Sequence, residues 1–190
     1  MDVLGIPTQA LFGQLLIGLI NGAFYAMMSL GLAVIFGLLN IINFTHGAQY
    51  MMGAFCAYFL LNKLGIGYWW SLLVAPIVVG ATGVVIERTM LSRLYQLDHL
   101  YGLLLTFGLA LIIQGVFTNY YGSSGQPYRL PEEFAGAFNL GFMFLPKYRA
   151  WVIVASLLVC FGTWFVIERT KLGSYLRAAT ENPALVQAFG

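Results

Sequence analysis

Of the 190 residues, 60% are apolar or aromatic and only 8% are charged, against roughly 25% charged in an ordinary soluble domain. That balance excludes a soluble globular fold. The formal net charge of +2 is spread along the chain without a basic cluster, which excludes nucleic acid as a partner.

Charged residues are absent from Val3 to Asn62, Leu64 to Ile86, His99 to Tyr128 and Ala150 to Ile167. Each run is long enough to cross a bilayer, since a helix rising ~1.5 Å per residue needs about 20 residues for ~30 Å of hydrocarbon. Leu72 to Ile86 and Val152 to Ile167 are apolar on every face, whereas strands of a transmembrane barrel alternate. The spanning elements are therefore helices. The expected fold is all-α: a polytopic integral membrane protein with about five spans plus a broken or re-entrant helix, residues 1–190 forming one transmembrane domain. Met1 to Val3 offers no basic region before the apolar stretch, and no small-residue cleavage site follows. The first span is expected to remain in the mature protein.

Leu11 to Leu32 reads as the first span, with Asn21 and Gly22 at a point where a neighbour could approach the backbone. From Gly37 to Gly47 the pattern breaks, with glycines at both ends and Asn40, Asn43, Thr45 and His46 at membrane depth. Asn and Thr favour helix starts over helix interiors, so a new helix is expected from about His46 to Leu61. Lys63 to Tyr68 reads as a turn, Trp69 and Trp70 as interface anchors, and Ser71 to Ile86 as the next span. Glu87 to Tyr101 reads as an aqueous loop, Gly102 to Tyr121 as a span, and Gly122 to Arg149, with Pro127, Pro131 and Pro146, as a polar connection. Trp151 to Ile167 is the last span expected. The run Val85 to Leu91 is echoed by Val166 to Leu172, with Glu-Arg-Thr at the centre of each, either because that triplet anchors a membrane exit or because a unit is duplicated. Two spans separate the copies, so both exits share a side, but Lys and Arg divide too evenly between the two sides to orient the chain.

Sites of intramembrane chemistry normally carry ionisable residues within spans, and the expected spans carry none. His46 is the single titratable group near membrane depth and has no partner carboxylate in sequence, which favours a hydrogen-bonded structural role. No catalytic residue, metal ligand or cofactor site is expected. A proton-coupled secondary transporter is disfavoured for the same reason. Cys56 and Cys160 lie in apolar runs and form no metal spacing or disulfide framework. In the tail, Asn182 is a candidate N-cap with Pro183 at the first helical position and Leu185, Val186 and Phe189 on one face. The expectation is a short amphipathic helix, which could simply rest on the membrane.

Gly37 to Gly47, followed by Tyr50 to Phe55, resembles the signature of the branched-chain amino-acid ABC permeases of the LivH type. Ile86 to Arg88 recurs in that family after its early spans, and Gly173 to Gly190 is similar to the cytoplasmic loop that couples such permeases to their ATPases. The resemblance implies a multi-pass subunit of the bacterial inner (cytoplasmic) membrane. Its implied partners are a sister permease subunit, two cytoplasmic ATP-binding subunits, a periplasmic solute-binding protein and the lipid bilayer. ATP chemistry would lie in other chains, so the protein is not expected to be an enzyme. Asn21, Asn40, Asn43, Thr45, His46 and Gly47 would belong to the conduit. Residues 168–190 would form a cytoplasmic coupling segment, with Gly173, Arg177, Ala178, Glu181, Asn182 and Pro183 at the ATPase. Thr45 stands where the family commonly has Ala. Family members continue beyond the equivalent of Gly190, so this sequence is expected to lack later helices and not to transport by itself. A channel or secondary transporter for a small neutral solute such as an amide also fits the charge-free spans. The coupling segment discriminates, having no role without a cytosolic motor.

Overall fold

In the computed structural model, which describes residues 2–3, 6–39, 42–181 and 186, long helices dominate and end where the sequence supplies a breaker or a charge. A short antiparallel hairpin of β1 (Asp2–Val3) and β2 (Ile6–Pro7) precedes helix α1 (Thr8–Leu39). α1 is longer at both ends than the apolar pattern predicts. Its glycines do not stop it, because at membrane depth only intrahelical bonds can satisfy the backbone. Gly37 lies inside α1 rather than in the break, and Asn40 and Ile41 lie outside the described residues.

Helix α2 (Thr45–Leu64) begins one residue before the predicted start. It ends on Gly65, whose φ of 66° lets its N–H reach the Leu61 carbonyl at 3.2 Å while the Ile66 N–H reaches that of Leu60 at 2.8 Å. A side chain at that φ would be strained, so glycine supplies the stop. Helix α3 (Tyr68–Thr89) includes Pro76, and helix α4 (His99–Tyr121) follows a turn at Leu91–Arg93. The Asp98 carboxylate caps α4 by accepting from the Leu100 N–H at 2.9 Å. Beyond α4 the connection holds a helical turn (Glu132–Phe134) and a hairpin of β3 (Ala137–Asn139) and β4 (Phe144–Pro146), in register Ala137 to Pro146 and Asn139 to Phe144. This hairpin was not foreseen. Its turn is set by Asn139 Oδ1 accepting from the Gly141 N–H at 2.9 Å, with Gly141 at φ 82°. Helix α5 (Lys147–Arg169) and helix α6 (Lys171–Glu181) complete the described elements.

Among the described residues, four helical stretches are long and apolar enough to cross a membrane: Thr8–Gly37, Tyr68–Arg93, His99–Tyr121 and Lys147–Arg169. α2 has the length for a crossing at 20 residues but carries Thr45, His46, Gln49, Asn62 and Lys63. The chain is thus an all-α polytopic membrane protein. Its contacts divide it into two compact units, Val34–Pro131 and Met1–Ala33 with Glu132–Gly190. Within the first, α2 packs on α3 and α4. Small residues let α2 and α3 come close: a Cβ at Gly53 would lie 3.8 Å from Val79, and one at Gly83 would lie 3.5 Å from the Gln49 amide. The α2–α4 seam is aromatic, with the ring of Phe55 4.6 Å from that of Phe117 and 5.0 Å from that of Tyr121. Within the second unit, the buried Ser156 hydroxyl of α5 donates to the Ala23 carbonyl of α1 at 2.9 Å. A Cβ at Gly18, Gly22 or Gly80 would meet nothing within 4 Å, so the approach of a neighbour expected at Gly22 is not seen.

Candidate functional site

The α1–α2 break is built from side chains that replace lost backbone bonds. Asn43 Oδ1 accepts from the Thr45 N–H at 2.9 Å and from the Thr45 hydroxyl, and the His46 N–H points to the Asn43 carbonyl at 3.4 Å. Thr45 is wholly buried. A helix start has N–H groups without intrahelical acceptors, and with Thr45 shut off from solvent a side-chain oxygen two residues earlier takes its N–H. On the other side of the break the Ile42 carbonyl lies 3.4 Å from the hydroxyl of Thr106, which is itself wholly buried in α4 and also donates to the Leu103 carbonyl at 3.0 Å. One hydroxyl hydrogen is shared between these acceptors.

Of the residues expected at a conduit, Asn43, Thr45 and His46 therefore come together. Gly47 follows them on the exposed side of α2, and Asn40 lies outside the described residues. Asn21 is exposed on the part of α1 that belongs to the other compact unit. Thr106, Ser71 and Ser156 are buried hydroxyls that sequence reasoning passed over. Each stands alone in an apolar run, and that isolation was the available signal. Among the described residues no group of three or more His, Cys, Asp and Glu side chains gathers to hold a metal ion.

The second cluster is the elbow between α5 and α6. The last carbonyls of α5 lack intrahelical donors, and the residues after it supply them. The Thr170 hydroxyl donates to the Val166 carbonyl, and Arg177 Nη1 donates to the Ile167 carbonyl and lies 3.7 Å from the Glu168 carboxylate. Gly173 is buried against the same turn. A Cβ there would fall 2.6 Å from the Ile167 Cα and closer still to its carbonyl group, so only glycine fits. The sequence echo has a counterpart at the end of α3, where the Thr89 hydroxyl donates to the Val85 carbonyl at 2.6 Å. At both exits the threonine closes the carbonyl four residues earlier. Beyond α3 the Tyr95 hydroxyl donates to Glu87 at 3.0 Å. Partial burial, and then that carboxylate, raise the phenol above its ordinary pKa.

α6 occupies Lys171–Glu181, ahead of the amphipathic helix expected from Asn182 and Pro183, whose start lies outside the described residues. Leu172, Tyr175, Leu176 and Ala179 recur at helical spacing and line an open apolar groove of about 500 Å³ with Val186, a stripe that supports a helix here. Gly173 and Arg177 occupy the face toward α5, while Ala178 and Glu181 are exposed. Asn182 and Pro183 lie outside the described residues.

The profile of a family described as "Branched-chain amino acid transport system / permease component" matches residues 14–190. The chain is 28% identical over 188 residues to the high-affinity branched-chain amino acid transport system permease protein BraD of Pseudomonas aeruginosa, covering 93% of this chain and 61% of that protein. It is 24% identical over 190 residues to the permease protein LivH of Escherichia coli, with the same coverage. Similarity to a probable LivH of Methanocaldococcus jannaschii is 28% over 170 residues, covering 86% of this chain and 53% of that protein. The chain thus spans about 61% of the length of the first two. No solved structure matches it.

Proposed function

This chain belongs to the family of branched-chain amino acid transport system permease components, and on that premise we propose that it is a conduit-forming subunit of an ATP-driven importer in the bacterial inner membrane. The proposed cargo is branched-chain amino acids. The proposed partners are a sister permease, two cytoplasmic ATP-binding subunits and a periplasmic solute-binding protein. Support comes first from the family match and then from α6, an amphipathic helix placed directly beyond the polar exit of the last described span. Its apolar face, Leu172 with Tyr175, Leu176 and Ala179, is the surface offered to an ATP-binding subunit, with Glu181 at its edge. Asn43, Thr45 and His46 are proposed to border the conduit, because a break in a membrane helix is tolerated where protein or water, not lipid, surrounds it. An uncharged lining of amides and hydroxyls would let a zwitterion pass without trapping it.

Coupling to cytosolic ATPases requires α6 on the cytosolic side. Residues 87–100 and 171–190 are therefore assigned there, and 63–68 and 122–149 to the periplasm. Single cysteines at Ser92, Thr180 and Ser124, in a background with Cys56 and Cys160 replaced by alanine, test this by reaction with an impermeant maleimide. The expected result is labelling of Ser124→Cys in intact spheroplasts and of the other two only after permeabilisation. Labelling of Thr180→Cys from outside would refute the functional reading along with the topology.

A further inference from the structure

We propose that Arg177 is an internal positioning residue that fixes α6 to the end of α5, so that a displacement of α6 moves the span as one body. The proposal rests on the reading that α6 meets an ATP-binding subunit, and it assigns Arg177 a role away from that contact. Two points of attachment carry it. The Arg177 guanidinium donates to the Ile167 carbonyl, and Gly173, one turn earlier on the same face, is pressed against the backbone of the same residue. One attachment would leave a hinge, whereas two attachments a turn apart fix both the separation and the rotation of α6. Glu168, 3.7 Å from Arg177 Nη1, holds the guanidinium in register, and the positive charge also suits the negative end of the α5 dipole.

The direction of the side chain matters. Arg177 faces α5, while the apolar residues Leu172, Tyr175, Leu176 and Ala179 line a separate groove. The docking face and the strut are thus distinct parts of one helix. At the α3 exit, which shares the Val-Ile-Glu-Arg-Thr run, the threonine bond is present, but the chain passes into a helical turn at Leu91–Arg93, and Ser92 and Gln96 stand where the elbow has Gly173 and Arg177. The added glycine and arginine are specific to the elbow that carries an amphipathic helix. From α5 the link continues through the buried bond of Ser156 to the Ala23 carbonyl, so a movement imposed on α6 reaches α1.

Arg177→Gln and Arg177→Lys in the complete transporter test the proposal, with three readings on each: uptake per ATP hydrolysed, mobility of a spin label at Ala178→Cys, and disulfide cross-linking from Tyr175→Cys to the ATP-binding subunit. A neutral amide loses the charge-assisted bond, and a lysine keeps the charge but, as a strongly hydrated ammonium on a flexible stem, lacks the pre-organised planar guanidinium that holds Nη1 at the Ile167 carbonyl. In Arg177→Gln, uptake per ATP should fall about tenfold or more while the cross-link persists and the label becomes more mobile. Arg177→Lys should lie between. Unchanged label mobility in Arg177→Gln would overturn the proposal, as would unchanged uptake per ATP. Loss of the cross-link with an immobile label would instead make Arg177 a direct contact, which also overturns it. Absence of the cross-link with native Arg177 would refute docking by α6, while label mobility still decides the strut.

Discussion

Gly173→Ala is expected to reduce ATP-driven uptake to near background while the chain still inserts in the membrane. The added methyl group would lie 2.6 Å from the Ile167 Cα and nearer to its carbonyl, and the obstacle is backbone, which cannot rotate away as a side-chain tip can. α6 must therefore lift from α5 or unwind its first turn, and either movement draws Arg177 off the Ile167 carbonyl. Overpacking of this kind costs roughly 1–3 kcal/mol where the backbone can shift, concentrated here on one elbow. Gly83→Ala provides the comparison, since its Cβ would sit 3.5 Å from the Gln49 side chain at ordinary contact distance, and near-native uptake is expected. Uptake measured alongside the amount of protein in the membrane distinguishes a broken elbow from a lost protein. Native uptake by Gly173→Ala would show that the close approach is not required.

The second large effect is expected at the helix break. Asn43→Leu removes the acceptor of both the Thr45 N–H and the Thr45 hydroxyl, at a residue with no exposed surface. A buried donor left without a partner costs about 1–3 kcal/mol. Thermal unfolding in detergent should shift down by several degrees, and uptake should fall by about tenfold or more. Thr45→Ala keeps the main-chain bond to Asn43 and loses only the hydroxyl. Its effect should be small. Equal effects of the two substitutions would mean that the hydroxyl, not the amide acceptor, holds the break.

These two sites show what the sequence made legible and what it did not. The break was readable because Asn43 and Thr45 are poor interior residues of a membrane helix and good residues at its start, a conflict visible without coordinates. Its exact edge was not, since nothing local tells a helix to run through Gly37 and stop after Leu39. The spans were legible from the charge-free runs, but their partners were not. Thr106 and Ser156 matter through the acceptors they reach, Ile42 and Ala23, which are far away in sequence. At the tail, the stripe of Leu172, Tyr175, Leu176 and Ala179 was legible as a helical face but went unread beside the Asn182-Pro183 capping signal, which lies outside the described residues. Arg177 was expected at an ATPase through the resemblance alone; its bond to the end of α5 depends on Gly173 admitting the close approach, which no local pattern announces.

The central claim, an ATP-driven permease subunit, is tested most directly by uptake of radiolabelled leucine into proteoliposomes. The vesicles would hold a permease that carries this sequence at the relatives' full length, together with the sister permease and the two ATP-binding subunits, with the binding protein supplied outside. The account predicts accumulation that requires ATP inside the vesicles and the binding protein outside, and that stops with a non-hydrolysable ATP analogue. Equilibration of leucine to the same level without ATP or without the ATP-binding subunits would contradict it and identify a passive conduit.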